Sequence, residues 1–399
     1  MADFEYDALK SQYESFEDPR LMVIIDGKDL SESKEPLEVV GLEVELTSGF
    51  EASIAEFKLA GAYYPSARSF DLSKAKKTFS LGSSVIIKMG YATSVREVFR
   101  GFIARVRFVI PADDTSESAF IGVTAMDVKG IMMANRHSRR LRATIYSDAV
   151  KEVMDAVPYL TQKDDQGQPF VDVTIDATPD KESGGSGGEG GGGGKVGGKD
   201  DKSDTRVEMV EESDYEFIVK VAKKFNFEFY SVGKNVYFTQ AKKNETPLME
   251  LSPNNLINRL EVEYDITGLA RSVEVRSVNM DDGKFLGKSK KSNAKISLGS
   301  KAKPLVDKQK LVYLDSSVDT KETAGYRAEY LMALNEYRLG SLSATCIGLP
   351  ELVPGRFIEV INAGEPLSNL FYLTRVRHVM DDGNFYTEIE GSANSIAKQ

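Results

Sequence analysis

Apolar and polar residues alternate along most of this chain, the signature of half-buried β-strands. Leu21 to Ile25 runs into Asp26-Gly27, a tight-turn signal, and Leu37 to Leu46 and Ile54 to Leu59 follow as further strands. After Gly82 come Val85 to Ile87, Val98 to Ile103 and then Arg105 to Ile110, where Val106, Phe108 and Ile110 share one face and Arg105 and Arg107 the other. Near residue 144 the period lengthens. Ser147 is placed to cap a helix carrying Val150, Val153, Met154 and Val157 that stops before Pro158. Ser213 and Glu216 form a capping box ahead of an apolar stripe of Phe217, Ile218, Val221, Ala222 and Phe225. Phe227, Phe229, Val236 and Phe238 then bracket Gly233-Lys234-Asn235 as a hairpin. Alternation resumes at Leu260, Val262 and Tyr264, and Val273 and Val275 approach a turn at Asp281-Asp282-Gly283. The lysine-rich stretch 288–310 reads as a solvated loop. Thr320 to Arg338 reads as a long helix with Ala324, Ala328, Leu331, Met332 and Leu334 inward, ended by Gly340.

One strand comes back. Arg105-Val106-Arg107-Phe108-Val109-Ile110 is echoed about 270 residues later by Arg375-Val376-Arg377-His378-Val379-Met380. Each copy soon reaches an acidic pair (Asp113-Asp114, Asp381-Asp382) and a second β-rich run, Phe120 to Ala125 and Phe385 to Ile389. Each is preceded by a glycine leading into an apolar strand, from Gly82 and from Gly355. The same order of strand, loop, strand, turn and strand in both places implies two copies of one small β-barrel.

The organisation expected is an N-terminal arm or short helix over 1–19, a first β-barrel over 20–143, an α/β insert over 144–250 and a second β-barrel over 251–395 that carries the long helix 320–338. The insert is interrupted by a glycine-rich stretch, 183–203, whose residues 184–198 hold 11 of the chain's 33 glycines. Such composition cannot offset its ordering entropy and implies a flexible loop, expected to tolerate shortening. Gly193 to Lys199 has phosphate-loop spacing, but Asp200 stands where a magnesium-binding Ser or Thr belongs, and no apolar strand precedes it.

A net charge of −10 argues against a duplex nucleic-acid binder. The N-terminus has no apolar core of a signal peptide, and no 18-residue apolar stretch is present, so no stable membrane insertion is expected. The single cysteine, Cys346, lies in an apolar run and reads as a buried inert thiol. Of the two histidines, His378 takes the place of Phe108 on the apolar face, and His137 lies in a polar basic connection and reads as solvated. No clustered ligand spacing points to a metal or other cofactor, and no catalytic, cofactor-binding or metal-ligating residue is assigned. Paired carboxylates of a hydrolase stay open by counting alone, although the absence of Trp argues against a sugar-stacking cleft.

The run Gly348-Leu349-Pro350-Glu351-Leu352-Val353-Pro354-Gly355-Arg356-Phe357-Ile358, after the alanine-rich helix and Gly340, resembles the late control protein D family. These are baseplate hubs of contractile phage tails, related to the hub half of VgrG spike proteins. Ser213 to Ile218 followed by Phe227 to Tyr230, and Val98 to Ile103, are similar to segments of the same family. The resemblance implies a mainly β chain with an α+β insert, two tube-like β-barrels flanking a small α/β domain. It also implies a homotrimeric ring between a hexameric tail tube with its initiator proteins above and a trimeric spike below, among other baseplate components. DNA or effector would be met only in transit through the channel. The location implied is a virion tail baseplate or phage-tail-like particle assembled in the bacterial cytoplasm. Because the chain ends soon after the second barrel, the spike is expected to be a separate protein. A tail-tube or tube-completion protein, and a cell-wall hydrolase, are the alternatives.

Overall fold

The structure is a computed structural model that describes residues 2–32, 38–64, 66–70, 80–110, 119–163, 167–179, 206–278, 285–291, 301–318 and 320–396. The stretch 183–203 with its Gly193 to Lys199 spacing, the Asp113-Asp114 pair and the Asp281-Asp282-Gly283 turn lie outside the described residues.

A short helix, α1 (Tyr6–Gln12), opens the chain and is followed by strands β1 (Pro19–Ile25), β2 (Glu38–Thr47), β3 (Ile54–Ala60), β4 (Ser84–Tyr91), β5 (Ser94–Val109) and β6 (Phe120–Met126). The middle of the chain supplies helix α2 (Tyr146–Asp155), strand β7 (Asp172–Ile175), helix α3 (Asp214–Phe225) and the hairpin β8 (Phe227–Val232) and β9 (Asn235–Gln240). Then come β10 (Pro247–Leu251), β11 (Ile257–Tyr264), β12 (Ser272–Val278), β13 (Phe285–Lys291), β14 (Lys310–Leu314) and helix α4 (Lys321–Glu336). The chain closes with β15 (Gly340–Ile347), β16 (Phe357–Val360), β17 (Leu370–Asp381) and β18 (Asn384–Ala393).

Both halves enter one thirteen-stranded sheet, whose path runs β11-β15-β18-β17-β2-β3-β6-β5-β4-β1 and ends on the two-residue strand Lys28–Asp29 beside β1, with β16 pairing β17 and β10 pairing β16. The halves repeat strand for strand. β2, β3, β6, β5 and β4 occupy in the first the places of β11, β15, β18, β17 and β16 in the second. The register repeats as well. Phe102 and Ile103 pair with Met126 and Ala125, a bulge follows, and Arg105 pairs with Thr124. Tyr372 and Leu373 pair with Ser392 and Gly391, a bulge follows at the same step, and Arg375 pairs with Glu390. A bulge re-aims every side chain beyond it, so its position is a stringent sign of common geometry. The halves differ at the far side, where β1 runs antiparallel to β4 and β10 runs parallel to β16.

One apolar core runs through both halves, from Val23, Leu42, Val44, Phe57, Ile87 and Val123 to Leu342, Ile358, Val376 and Ile389. The N-terminal segment belongs to it: Leu9 and Tyr13 are buried, and the Phe4 amide donates to the Leu248 carbonyl at 2.9 Å. A second core gathers Val150, Val153, Met154, Phe217, Val221, Phe229 and Phe238 between α2, α3 and the small sheet β7-β9-β8. In α3 the Ser213 hydroxyl accepts from the Glu216 amide while the Glu216 carboxylate accepts from the Ser213 amide, so the capping box is formed. Ser213→Ala is expected to lower stability by ~1 kcal/mol, read as a shift of the denaturant midpoint at unchanged slope. Asp127 ties this unit to the first barrel, accepting from the Ser231 hydroxyl at 2.6 Å and the Ser53 amide at 3.0 Å.

Four expectations are corrected. Ser147 lies inside α2 rather than before it; Ile145 holds the cap position without a side-chain bond, and the Ser147 amide is satisfied by the Thr178 hydroxyl. α4 starts at a Thr320 capping box as expected but ends at Glu336. Gly340 instead begins β15, where a Cβ would lie 3.0 Å from the Tyr264 ring. Leu334 of α4 is half exposed while Ala324, Ala328 and Met332 are buried. Part of the stretch read as a solvated loop, 288–310, is ordered: β13 and β14 flank β12 in a separate sheet that α4 covers, with Val273, Val275, Val318, Ala324, Ala328 and Met332 as its core.

Candidate assembly interface

The two halves meet where β2 lies antiparallel to β17, from Leu42 opposite Met380 to Thr47 opposite Arg375. Alternation sends Leu42, Val44 and Leu46 into the core beside Val376 and His378, all at 2% exposure or less. Glu43 and Glu45 face the other way, toward Arg375 and Arg377. The Arg377 guanidinium donates to Glu43 and, at 2.6 Å, to Glu388; its bonds to Glu43, then to Glu388, push its pKa further up. Arg375 lies 3.5 Å from Glu45. These pairs are partly exposed, so each adds under about 1 kcal/mol; their larger effect is to fix the register.

Beyond Phe102, β5 pairs with β6 on one side and with no described strand on the other. β11 likewise pairs only with β15 among the described strands. These two edges are the repeat-equivalents of the two strands that form the internal seam. Phe108 is 47% exposed and Ile110 53%, where their counterparts His378 and Met380 are buried. Leu260, Val262 and Tyr264 are half-buried, where Leu42, Val44 and Leu46 are fully covered. Unpaired strand edges with exposed apolar side chains are templates for association.

The run 348–356 binds the pieces around the seam. Gly348 lies under the Phe385 ring, and its carbonyl accepts from the Tyr91 hydroxyl at 2.9 Å. Leu349 and Leu352 are buried, and Gly355, at φ +82°, faces the Tyr230 ring of the insert. Glu351 is 1% exposed and accepts from the Tyr13 hydroxyl; burial pushes its carboxyl above the usual range. The segment that carries the family resemblance thus joins the N-terminal helix, both barrels and the insert.

The residues considered for chemistry are placed as follows. His378 is fully buried and bonded through Nδ1 to the Thr387 hydroxyl at 3.0 Å; burial lowers its pKa to about 4. Cys346 is buried and its thiol is pushed up to about 12 by desolvation. His137, expected to be solvated, is half-buried in a short strand, with Nε2 3.3 Å from Oδ1 of the buried Asp214 at the start of α3. Among the described residues no three His, Cys, Asp or Glu side chains are grouped as a metal site, and no helix is long and apolar enough to cross a membrane. The edge residues Arg105, Arg107, Glu261 and Glu263 were not singled out from the sequence as functional. The signal was present in the near-identity of Leu42-Glu43-Val44-Glu45-Leu46 and Leu260-Glu261-Val262-Glu263-Tyr264.

A mainly β chain in which two copies of one barrel share a sheet and flank an α/β insert has the fold of phage tail proteins. No family model and no curated protein sequence matches the chain, so the likeness is one of structure. A tail protein from Neisseria meningitidis MC58 superposes with a TM-score of 0.62 at 13% identity, over 94% of this chain and 97% of the other. The 43 kDa tail protein of prophage MuSo2 from Shewanella oneidensis gives 0.62 at 10% identity, over 93% and 97%. An E. coli protein described as a component of the type VI secretion system, with structural similarity to T4 bacteriophage tail proteins, gives 0.51 at 10% identity, over 94% and 79%.

Proposed function

We propose that the chain is a structural baseplate hub of a contractile tail or contractile injection system, three copies of which form a ring joining a hexameric tail tube to a separate trimeric spike. The observation that carries this reading is the duplicated half-sheet with its repeated bulge, which presents two near-equivalent barrels per chain. Three chains then offer six such positions without breaking closed symmetry. The fold shared with tail proteins from two bacteria supports the same reading. The hub function is one of shape and pairing, with no bond-breaking step. A tail-tube protein would carry one barrel per chain and assemble as six, which the duplication argues against.

The sheet face turned away from the core would line the channel. On it Glu43, Glu45, Glu56, Glu388 and Glu390 are interleaved with Lys58, Arg105, Arg107, Arg375 and Arg377. A neutral to acidic wall lets a polyanion pass without counterion-release attraction. Mass measurement of the particle with its spike is expected to give three copies per ring, and its surface potential a lumen without a basic belt. Six copies, or a strongly basic lumen, would sink the proposal.

A further inference from the structure

The internal seam is a template for the contact between chains. Carried over by the repeat, its two sides become the open edges of β5 and β11. At the seam Arg375 and Arg377 reach carboxylates both across it and on β18, where Glu388 and Glu390 stand. On β6 the matching places hold Gly122 and Thr124, so Arg105 and Arg107 have no carboxylate opposite them on that strand, and Arg107 lies over the Phe120 ring instead. Among the described residues neither arginine makes an ion pair, and both are exposed. Glu263 is likewise exposed and unpaired, and Glu261 meets only Arg259, at 3.0 Å.

We infer that the β5 edge of one chain adds antiparallel to the β11 edge of the next copy in the register of the seam. That register sets Val106 against Tyr264, Phe108 against Val262 and Ile110 against Leu260. It brings Arg105 to Glu263 and Arg107 to Glu261, as Arg375 meets Glu45 and Arg377 meets Glu43 within the chain. The inference rests on the ring reading and says which surfaces make the ring. Charge also excludes the other pairings. Two β5 edges would set arginines against arginines and two β11 edges glutamates against glutamates, both unfavourable across a strand pair. Only the head-to-tail contact is complementary, and a head-to-tail contact closes into a ring when its rotation allows.

The test is charge reversal with mass read in solution. Arg105→Glu with Arg107→Glu, and separately Glu261→Arg with Glu263→Arg, are each expected to shift the purified chain from three copies to one. All four substitutions in one chain are expected to return three copies, which also shows that the exposed reversals leave the fold intact. A three-copy ring indifferent to both double reversals would overturn the edge pairing and leave the hub reading standing. Failure of the fourfold variant to reassemble would equally overturn it. An unaltered chain that stays single even with its spike would overturn the ring itself.

Discussion

Gly348→Ala is expected to destabilise the chain by about 3 kcal/mol, at the upper end for overpacking a core. An added Cβ would lie 2.1 to 2.5 Å from Phe385 ring atoms near the Cβ end of that side chain, where a small rotation gives no relief. The ring cannot retreat either, since Tyr91 and His378 lie 5.6 and 6.1 Å away, centroid to centroid. The backbone is held too: the Gly348 amide donates to the Phe385 carbonyl at 3.0 Å, and its own carbonyl is bonded to Tyr91. Gly355→Ala meets a different obstacle, a backbone at φ +82° that costs an L-residue about 1–2 kcal/mol, with the tip of Tyr230 in the way. Denaturant midpoints measure both. Phe385→Leu combined with Gly348→Ala should recover part of the loss, a coupling that a double-mutant cycle reads directly. An unshifted midpoint for Gly348→Ala would refute the close contact.

Acid is expected to weaken the seam through His378. Its folded pKa is lowered to about 4 by burial, against an ordinary value of 6.5. The unfolded chain therefore takes up a proton that the folded chain refuses, and stability falls as pH drops from about 6.5 toward 4. Each tenfold loss of proton affinity on folding is worth about 1.4 kcal/mol, so this one side chain removes about 3 kcal/mol over that window. His378→Gln keeps an amide facing the Thr387 hydroxyl and cannot titrate. The difference in unfolding free energy between parent and variant should change by that amount between pH 7 and pH 4, whatever the carboxylates contribute to both. A constant difference would show that His378 is protonated or solvated in the folded chain.

The strands were legible where one face is buried. Val106, Phe108 and Ile110 against Arg105 and Arg107 gave away both the strand and its copy, and the capping boxes at Ser213 and Thr320 marked true helix starts. The equivalence of β2 and β11 went unread because those strands lie about 218 positions apart, whereas the copies of β5 lie about 270 apart. The intervening segments differ in length, so no single period reveals both. The lysines of 288–291 concealed a strand, since a lysine-rich edge strand reads in sequence like a solvated loop. Gly340 followed a helical pattern and so resembled a cap; its missing side chain serves the Tyr264 ring, a tertiary contact that no local pattern encodes. The pairing of β2 with β17 joins residues far apart in the chain and could not be inferred from either strand alone.

That separation gives synthesis an awkward order. β2 emerges from the ribosome among the first strands, and its partner β17 among the last. Until then the Leu42 to Leu46 edge is bare, and the β5 edges of neighbouring nascent chains offer it a surface closely similar to its own missing mate. Contacts between such distant segments also form slowly. Polysome crowding should therefore favour swapped, chain-linked by-products over correctly closed chains.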